Sequence, residues 1–212
     1  MMISGKKELE AILSTLGGYN QPKEKLEQWQ TPPEIASVML FEALFRGDIH
    51  DKIVFDLGAG TGVLGIGAAL LGAKRVICVE VDSEAVLIAK NNLEKIESTY
   101  GPLPVEFINT SIEIFEGQGD TTIMNPPFGL EKSSRHADIK FLGKAFSLTN
   151  VVYSLHHSSK ESRNFLAKYA QKHNYVAELI GTFKFPLKAW HFKHRKPVKI
   201  IYVDFFTFTR RV

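Results

Sequence analysis

Asn125-Pro126-Pro127-Phe128 sets an amide oxygen, a proline carbonyl and an aromatic ring within four residues. The exocyclic amine of a nucleobase is a poor nucleophile, because its lone pair is delocalised into the ring. Two acceptors, one on each N–H, favour a pyramidal nitrogen whose lone pair points at an electrophilic methyl group. The Asn125 side-chain oxygen and the Pro126 carbonyl make such a pair, and no strong general base is then needed. The prolines hold φ near about −65° and restrict the residues before them, so the acceptors are preorganised. Phe128 is left to stack on the base, which is worth roughly 1–3 kcal/mol. The same residues also make an ordinary Asn-Pro turn, so the elements around them must decide.

Thr121 to Met124 reads as a short buried strand. The tetrapeptide then lies beyond a strand's carboxyl end, where open α/β sheets bind ligands. A second strand-like run, Ile53 to Leu57, leads into Gly58-Ala59-Gly60-Thr61-Gly62 and then a helical pattern from Val63 to Leu71. Strand, glycine turn and helix bring backbone close to a nucleotide. The dinucleotide fingerprint fails, since Val63 stands where its third glycine belongs. Asp56 suits a ligand carrying an ammonium and a sulfonium better than a pyrophosphate, which points to S-adenosylmethionine. The strand Arg75 to Glu80 ends in an acid at the spacing of a ribose-binding carboxylate. Asp82 reads equally well as a helix cap and is left outside the site. Val105 to Asn109 makes a third strand, with Asn109-Thr110-Ser111 in reach of an adenine ring.

A chain of 212 residues, 44% hydrophobic and 23% charged, suits one α/β domain spanning 1–212. Runs at 53–57, 75–80, 105–109, 120–124 and 151–155 alternate with helical stretches, which predicts a largely parallel sheet covered on both faces. Helices are expected at 6–17 and 34–46, within a helical cap over 1–50 that precedes the catalytic sheet of 51–212. The runs near 177–185 and 200–208 lack a helix between them and predict an antiparallel hairpin at the sheet edge. The apolar stretch from Val63 to Ala73 is too short to span a bilayer and the N-terminus lacks a signal core, so a cytoplasmic protein is expected. Cys78, the single cysteine, reads as core filler. His156 and His157 follow the fifth strand without a spaced metal partner; a structural role is favoured over substrate contact, and no metal is expected.

Net charge is only +3, yet Leu179 to Val203 holds six cations and no acid, leaving 20 basic against 23 acidic residues elsewhere. Within it Lys193, Arg195 and Lys196 alternate with aromatics, which suits a loop that tracks phosphates and stacks on bases. A solvated charged hairpin fits the same pattern.

The Asp-Leu-Gly-x-Gly-x-Gly of 56–62, the acid at 80 and Asn-Pro-Pro-Phe at 125–128 together resemble the class I S-adenosylmethionine-dependent methyltransferases that act on amino groups. Leu26 to Pro32, Asn125 to Gly129 and Tyr153 to Ser159 further resemble the small-subunit ribosomal-RNA N6-adenine methyltransferases called methyltransferase-like five, over nearly the whole chain. The resemblance implies a doubly wound, seven-stranded Rossmann-like sheet, mostly parallel with an antiparallel C-terminal hairpin. It implies that Gln28 and Thr31 help enclose the cofactor, with Trp29 and Gln30 replacing the family's Tyr and Pro. It places cofactor contacts at Gly58, Gly60, Thr61 and Val63, and the adenine at Ser111 and Ile112, where the family usually has Asp. It also implies RNA as substrate and a small zinc-ribbon activator subunit that adds a strand to the sheet edge, although Glu106 could equally guard that edge. The expected reaction is methylation of adenine N6 in structured RNA, with the base unstacked into the pocket. Guanine N2 is the nearest alternative acceptor. A protein glutamine is less favoured, because such enzymes carry Tyr in place of Phe128, and an RNA adaptor without catalysis would not need Asn125.

Overall fold

The computed structural model describes residues 3, 5–130, 136–188 and 198–211. Lys193, Arg195 and Lys196 lie outside the described residues. The elements are α1 (Lys6–Ser14), α2 (Pro33–Phe45), β1 (Ile53–Leu57), α3 (Val63–Leu70), β2 (Arg75–Glu80), α4 (Ser83–Tyr100), β3 (Val105–Asn109), β4 (Thr121–Met124), α5 (Ala137–Leu148), β5 (Val151–His157), α6 (Lys160–Lys172), β6 (Tyr175–Lys188) and β7 (Val198–Arg210).

Apolar runs buried on both faces make the central strands, and β1 and β4 are buried almost throughout. The strands form one sheet in the order β3-β2-β1-β4-β5-β7-β6. β3, β2, β1, β4 and β5 run parallel, while β7 is antiparallel to both β5 and β6. The chain works outward from β1 to β3 and then returns to β4 on the other side of β1. That reversal opens a crevice at the carboxyl ends of β1 and β4, which carry the glycine loop and Asn125.

Two apolar clusters cover the sheet. One joins α1, α2 and α3 through Leu13, Leu40 and Ile66 to Tyr153 and Phe205; the other joins α5 and α6 through Phe146 and Leu166 to Phe55, Met124 and Phe208. Helix α3 lies close on the sheet because Gly65 has no side chain: a Cβ there would sit 2.3 Å from Cys78 Sγ and 3.2 Å from Asp56 Oδ2. Cys78 is fully buried, and burial pushes its thiol well up. Asp82 caps α4 by accepting from Glu84 N at 3.2 Å, and Ser159 caps α6 by accepting from Ser162 N at 3.0 Å.

The structure departs from expectation mainly at the sheet's far side. β5 does not stop at Leu155 but runs to His157, so the two histidines belong to the strand. His156 is fully buried, its ring edge-on to Phe206 and Phe208 and its Nδ1 3.4 Å from Asp138 Oδ2. The hairpin strands are also longer than expected. Their pairing continues from Phe183↔Val203, where β5 ends opposite β7 at His157, to Lys188↔Val198, so the hairpin projects past β5 on the sheet's carboxyl edge.

Candidate active site

A cavity of about 320 Å³ lies at the crevice, within the range of small-ligand sites. Its floor is the glycine loop. Gly58, Gly60 and Gly62 all have positive φ, and Gly60 N donates to Glu80 Oε2 at 2.8 Å. Glu80 Oε1 accepts from Asp82 N at 2.9 Å, so this carboxylate ties the end of β2 to the loop. Burial raises the Glu80 pKa, against the pull of the Asp82 and Gly60 amides. Asp56 also lines the cavity and accepts from Gly65 N at 2.8 Å. Burial pushes its carboxyl up to about 7; the Gly65 bond opposes the shift and the charge of Glu80 adds to it. Thr61 is buried against the cavity, and its hydroxyl has no hydrogen-bond partner among the described residues.

Residues 15–32 form a strap over this floor. Asn92 of α4 holds its start: Gly17 N donates to Asn92 Oδ1 at 2.7 Å, and Asn92 Nδ2 donates to Gly17 O and Thr61 O, each at 2.9 Å. Gln28 Nε2 donates to Asp82 Oδ2 at 2.6 Å, and Gln28 Oε1 accepts from Lys23 N at 2.7 Å. Gln28 therefore lines the cavity with both ends of its amide already engaged, and Lys23 adds an ion pair to Asp82 at 2.7 Å. Burial alone would raise the Asp82 carboxyl, but the Lys23 and Gln28 bonds outweigh it and hold the group below its usual range. Thr31 and Val63 are buried cavity residues.

The strap also grips the tetrapeptide. Asn125 Nδ2 donates to Trp29 O at 3.0 Å, and Gly129 N donates to Glu27 Oε2 at 3.1 Å. With its amino group turned to Trp29, Asn125 presents Oδ1 as a buried acceptor that has no partner among the described residues. Asn125 and Pro127 line the cavity, while Pro126 is buried beside them.

Phe128 departs from the role its type suggests. It is 6% exposed and packs edge-to-face on Phe185 of β6, with centroids 5.3 Å apart and planes at 85°. The protruding hairpin passes behind the turn and gives the ring an apolar contact that solvent would not. In this conformation Phe128 buttresses Asn125-Pro126-Pro127 and offers no free face to a base.

Sequence motifs do not mark several cavity residues. The Tyr19 hydroxyl rests on Gly60, where a Cβ would fall 2.1 Å from its oxygen, and Phe141 of α5 rests on Gly58. Burial pushes the Tyr19 pKa up, and Glu80, Asp56 and Asp82 push it further. At the opposite end, Ser111 donates to the Glu113 carboxylate, and Ser111, Ile112, Glu113 and Lys140 line the wall. Glu113 is held below the usual carboxylate range, first by Ser111 and then by the charges of Lys140 and Lys144 against slight desolvation. A carboxylate thus stands two residues beyond the position where the family resemblance places Asp.

The family model of ribosomal protein L11 methyltransferase (PrmA) matches residues 36–125. It spans α2 to the start of the tetrapeptide, including the glycine loop, and leaves out the hairpin. The rRNA N6-adenosine-methyltransferase METTL5 of Danio rerio is 38% identical over 210 residues, covering 96% of this chain and 98% of that protein. The chain belongs to the rRNA N6-adenosine methyltransferase family. Its Drosophila melanogaster member, Mettl5, is 35% identical over 210 residues, covering 95% of each chain. PH1948 of Pyrococcus horikoshii, whose crystal structure is described as that of a candidate RNA methyltransferase, superposes with a TM-score of 0.89 at 43% identity over 100% of both chains.

Members of the rRNA N6-adenosine methyltransferase family are methyltransferases, and S-adenosylmethionine is the cofactor. The residues present fit it. The orphaned Thr61 hydroxyl, the bare backbone of Gly58 and Gly60, and the buried acids Asp56 and Glu80 suit a ligand with a ribose and two cationic centres.

Proposed function

We propose that this protein transfers a methyl group from S-adenosylmethionine to N6 of an adenine in ribosomal RNA. The observation that carries this reading is the Oδ1 of Asn125, buried at the carboxyl end of β4 without a partner among the described residues, with its amide orientation set by Trp29 O. A nitrogen substrate that brings its own N–H satisfies that oxygen, and the Pro126 carbonyl takes the second N–H. The cofactor, when bound, would supply the methyl group from its sulfonium, the S–C bond breaking as the N–C bond forms and the sulfur leaving as a neutral thioether. Asn125 and Pro126 hold the amine with its lone pair aimed along the line of displacement. The nitrogen gains a positive charge as the N–C bond forms, and its proton leaves to solvent afterwards. The two acceptors stabilise that charge, so no general base enters the step. Transfer of labelled methyl from the cofactor to ribosomal RNA tests the reading; label on protein alone, or no transfer, contradicts it.

In the same reading Gly58, Gly60, Thr61, Val63 and Thr31 enclose the cofactor. Glu80 takes the ribose hydroxyls, Ser111 and Ile112 flank the adenine, and Asp56 faces the cationic end. Gln28 acts through the strap it fastens to Asp82. Asp56 then makes cofactor binding depend on pH. Burial pushes its carboxyl up to about 7 without ligand, and a cationic ligand stabilises its anion. Binding at pH 6 therefore releases a proton, and affinity rises from pH 6 to 8 before levelling. Because the folded-state pKa is raised, protonated Asp56 favours the ligand-free fold in acid, and that benefit fades as pH rises to about 7. Thermal stabilisation by cofactor should thus grow over the same window. Calorimetry at pH 6 in two buffers of different ionisation enthalpy measures the proton release; no release, or an unchanged pH profile in Asp56→Asn, assigns the charge elsewhere.

RNA is read by the basic hairpin loop. Replacing Lys193, Arg195 and Lys196 with Ala should weaken RNA affinity and reduce the slope of log affinity against log salt by about 1 for each phosphate left unneutralised, with cofactor affinity unchanged. An unchanged slope removes that loop from the RNA site. At the other sheet edge, β3 is open to strand addition by a small zinc-ribbon subunit, beside an Arg75–Glu106 ion pair of 2.6 Å. Co-purification from the native cell tests for that subunit. Among the described residues no helix is long and apolar enough to cross a membrane, and in this reading the protein works in the cytoplasm.

A further inference from the structure

The hairpin carries a second feature below its loop. Tyr202 and Ile200 are 54% and 59% exposed, and as alternate residues of β7 they share one face. Across the ladder they pair with Lys184 and Pro186, both exposed on the same face. Scattered exposed apolar residues are ordinary, but these are contiguous and edged with cations. Ser158 N donates to Tyr202 O at 3.0 Å, which brings the start of α6 alongside. Exposed Lys160 stands there with Arg163, whose guanidinium is spent on the buried Asp204 at 2.7 and 2.8 Å. The acid nearby on α6 is Glu161, which is exposed.

The strip also lies in register with the target pocket. Met124 pairs with Ser154, so Asn125 lies level with Leu155 and, one strand further, with Phe205. Tyr202 is three residues beyond that level on the carboxyl side. The offsets are roughly 10 Å across the sheet and roughly 10 Å along the strand, the span of a few nucleotides. Tyr202 shares its sheet face with Phe206 and Phe208, the side covered by α5 and α6, and α5 contributes Lys140 and Phe141 to the cavity.

We infer that this strip binds the single-stranded RNA beside the target base: Tyr202 stacks on one flanking base while Lys184 and Lys160 hold neighbouring phosphates. The inference rests on RNA being the substrate. A half-exposed ring between cations is the pattern that holds single strands without reading their sequence. The absence of acids from Leu179 to Val203 suits a polyanion and no acid-bearing partner strand.

The test uses the full chain, a fluorescein-labelled oligoadenylate of about twelve nucleotides for binding, and a small-subunit ribosomal RNA transcript for turnover. Tyr202→Ala and Tyr202→Leu should raise the oligonucleotide Kd about tenfold, and Tyr202→Phe should restore it, since stacking needs the ring and not the hydroxyl. Lys160→Ala with Lys184→Ala should lower the salt slope by about 2. Cofactor Kd and kcat at saturating transcript should stay at wild-type values in all of them, which excludes general unfolding. Tyr202→Ala binding within twofold of wild type, or Tyr202→Leu binding as well as Tyr202→Phe, overturns the inference while RNA methylation by the wild type still stands. If the wild type binds no oligonucleotide and methylates no RNA, the substrate assignment and this inference fall together.

Discussion

Asn125→Ala should lower kcat by about 10²–10³ with cofactor affinity within twofold of wild type, the loss seen when one preorganised polar partner of a transition state is removed. The split follows from the geometry. Asn125 makes one native hydrogen bond through its side chain, to Trp29 O, and its other polar atom has no partner among the described residues. Deleting the side chain therefore costs the fold little beyond that bond, while the incoming amine is deprived of an acceptor. The acids that face the cofactor are anchored elsewhere, Glu80 on Gly60 and Asp82, and Asp56 on Gly65. Single-turnover kinetics at saturating cofactor and RNA, with calorimetry for the cofactor, separate the two effects. Full turnover would remove Asn125 from the chemistry. Loss of cofactor binding instead would make it a structural tie of the strap.

Gly60→Ala should weaken cofactor binding by roughly 5- to 150-fold, the equivalent of the about 1–3 kcal/mol that a non-glycine residue costs in a strained backbone region. Gly60 has φ of 55°, and an added Cβ would fall 2.1 Å from the Tyr19 hydroxyl oxygen and 3.2 Å from the ring carbon that bears it. Tyr19 is half-buried at the cavity wall, near Glu80, Asp56 and Asp82. Either Tyr19 or the loop must shift, and a shifted loop breaks the Gly60 N–Glu80 bond of 2.8 Å. Tyr19→Phe removes the atom in conflict, so the double variant should recover part of the loss. Additive single effects in the cycle would show that Tyr19 does not press on the loop.

Where chemistry is written into short runs, sequence and structure agree closely. β1 and β2 occupy 53–57 and 75–80 as expected, because strands buried on both faces are largely apolar runs that end at glycine or an acid, and β3 occupies 105–109 as a half-exposed edge strand carrying Val105, Phe107 and Ile108. The same logic places the turn at the end of β4 and the acid at the end of β2. Long-range contacts are not readable in this way. Tyr19 and Phe141 reach the glycine loop from opposite directions along the chain, and no local pattern announces that they meet there. Glu113 enters through a turn in which Ser111 bonds its carboxylate, a pairing that a search for Asp after β3 overlooks. The sequence pattern ends β5 at Leu155 because His156-His157 resembles the start of a loop, until Phe206 and Phe208 arrive from β7 to bury the first ring.

Phe128 shows most clearly what a local pattern hides. Its type suggests a stacking ring, yet Phe185, far along the chain in β6, takes the ring into the core. The tetrapeptide's rigidity therefore comes from three sources: its own prolines, the strap through Trp29 and Glu27, and the hairpin through Phe185. The hairpin that supports the turn through Phe185 also carries Tyr202, so in the proposed reading one element serves both the target base and its flanking strand.

Ribosomal RNA lacking the modification, reacted with isotope-labelled S-adenosylmethionine and digested to nucleosides, should yield label in N6-methyladenosine by mass spectrometry, and Asn125→Ala should slow its appearance by about 10²–10³ under the same conditions. Label in N2-methylguanosine, or in protein with none in nucleosides, would contradict the account.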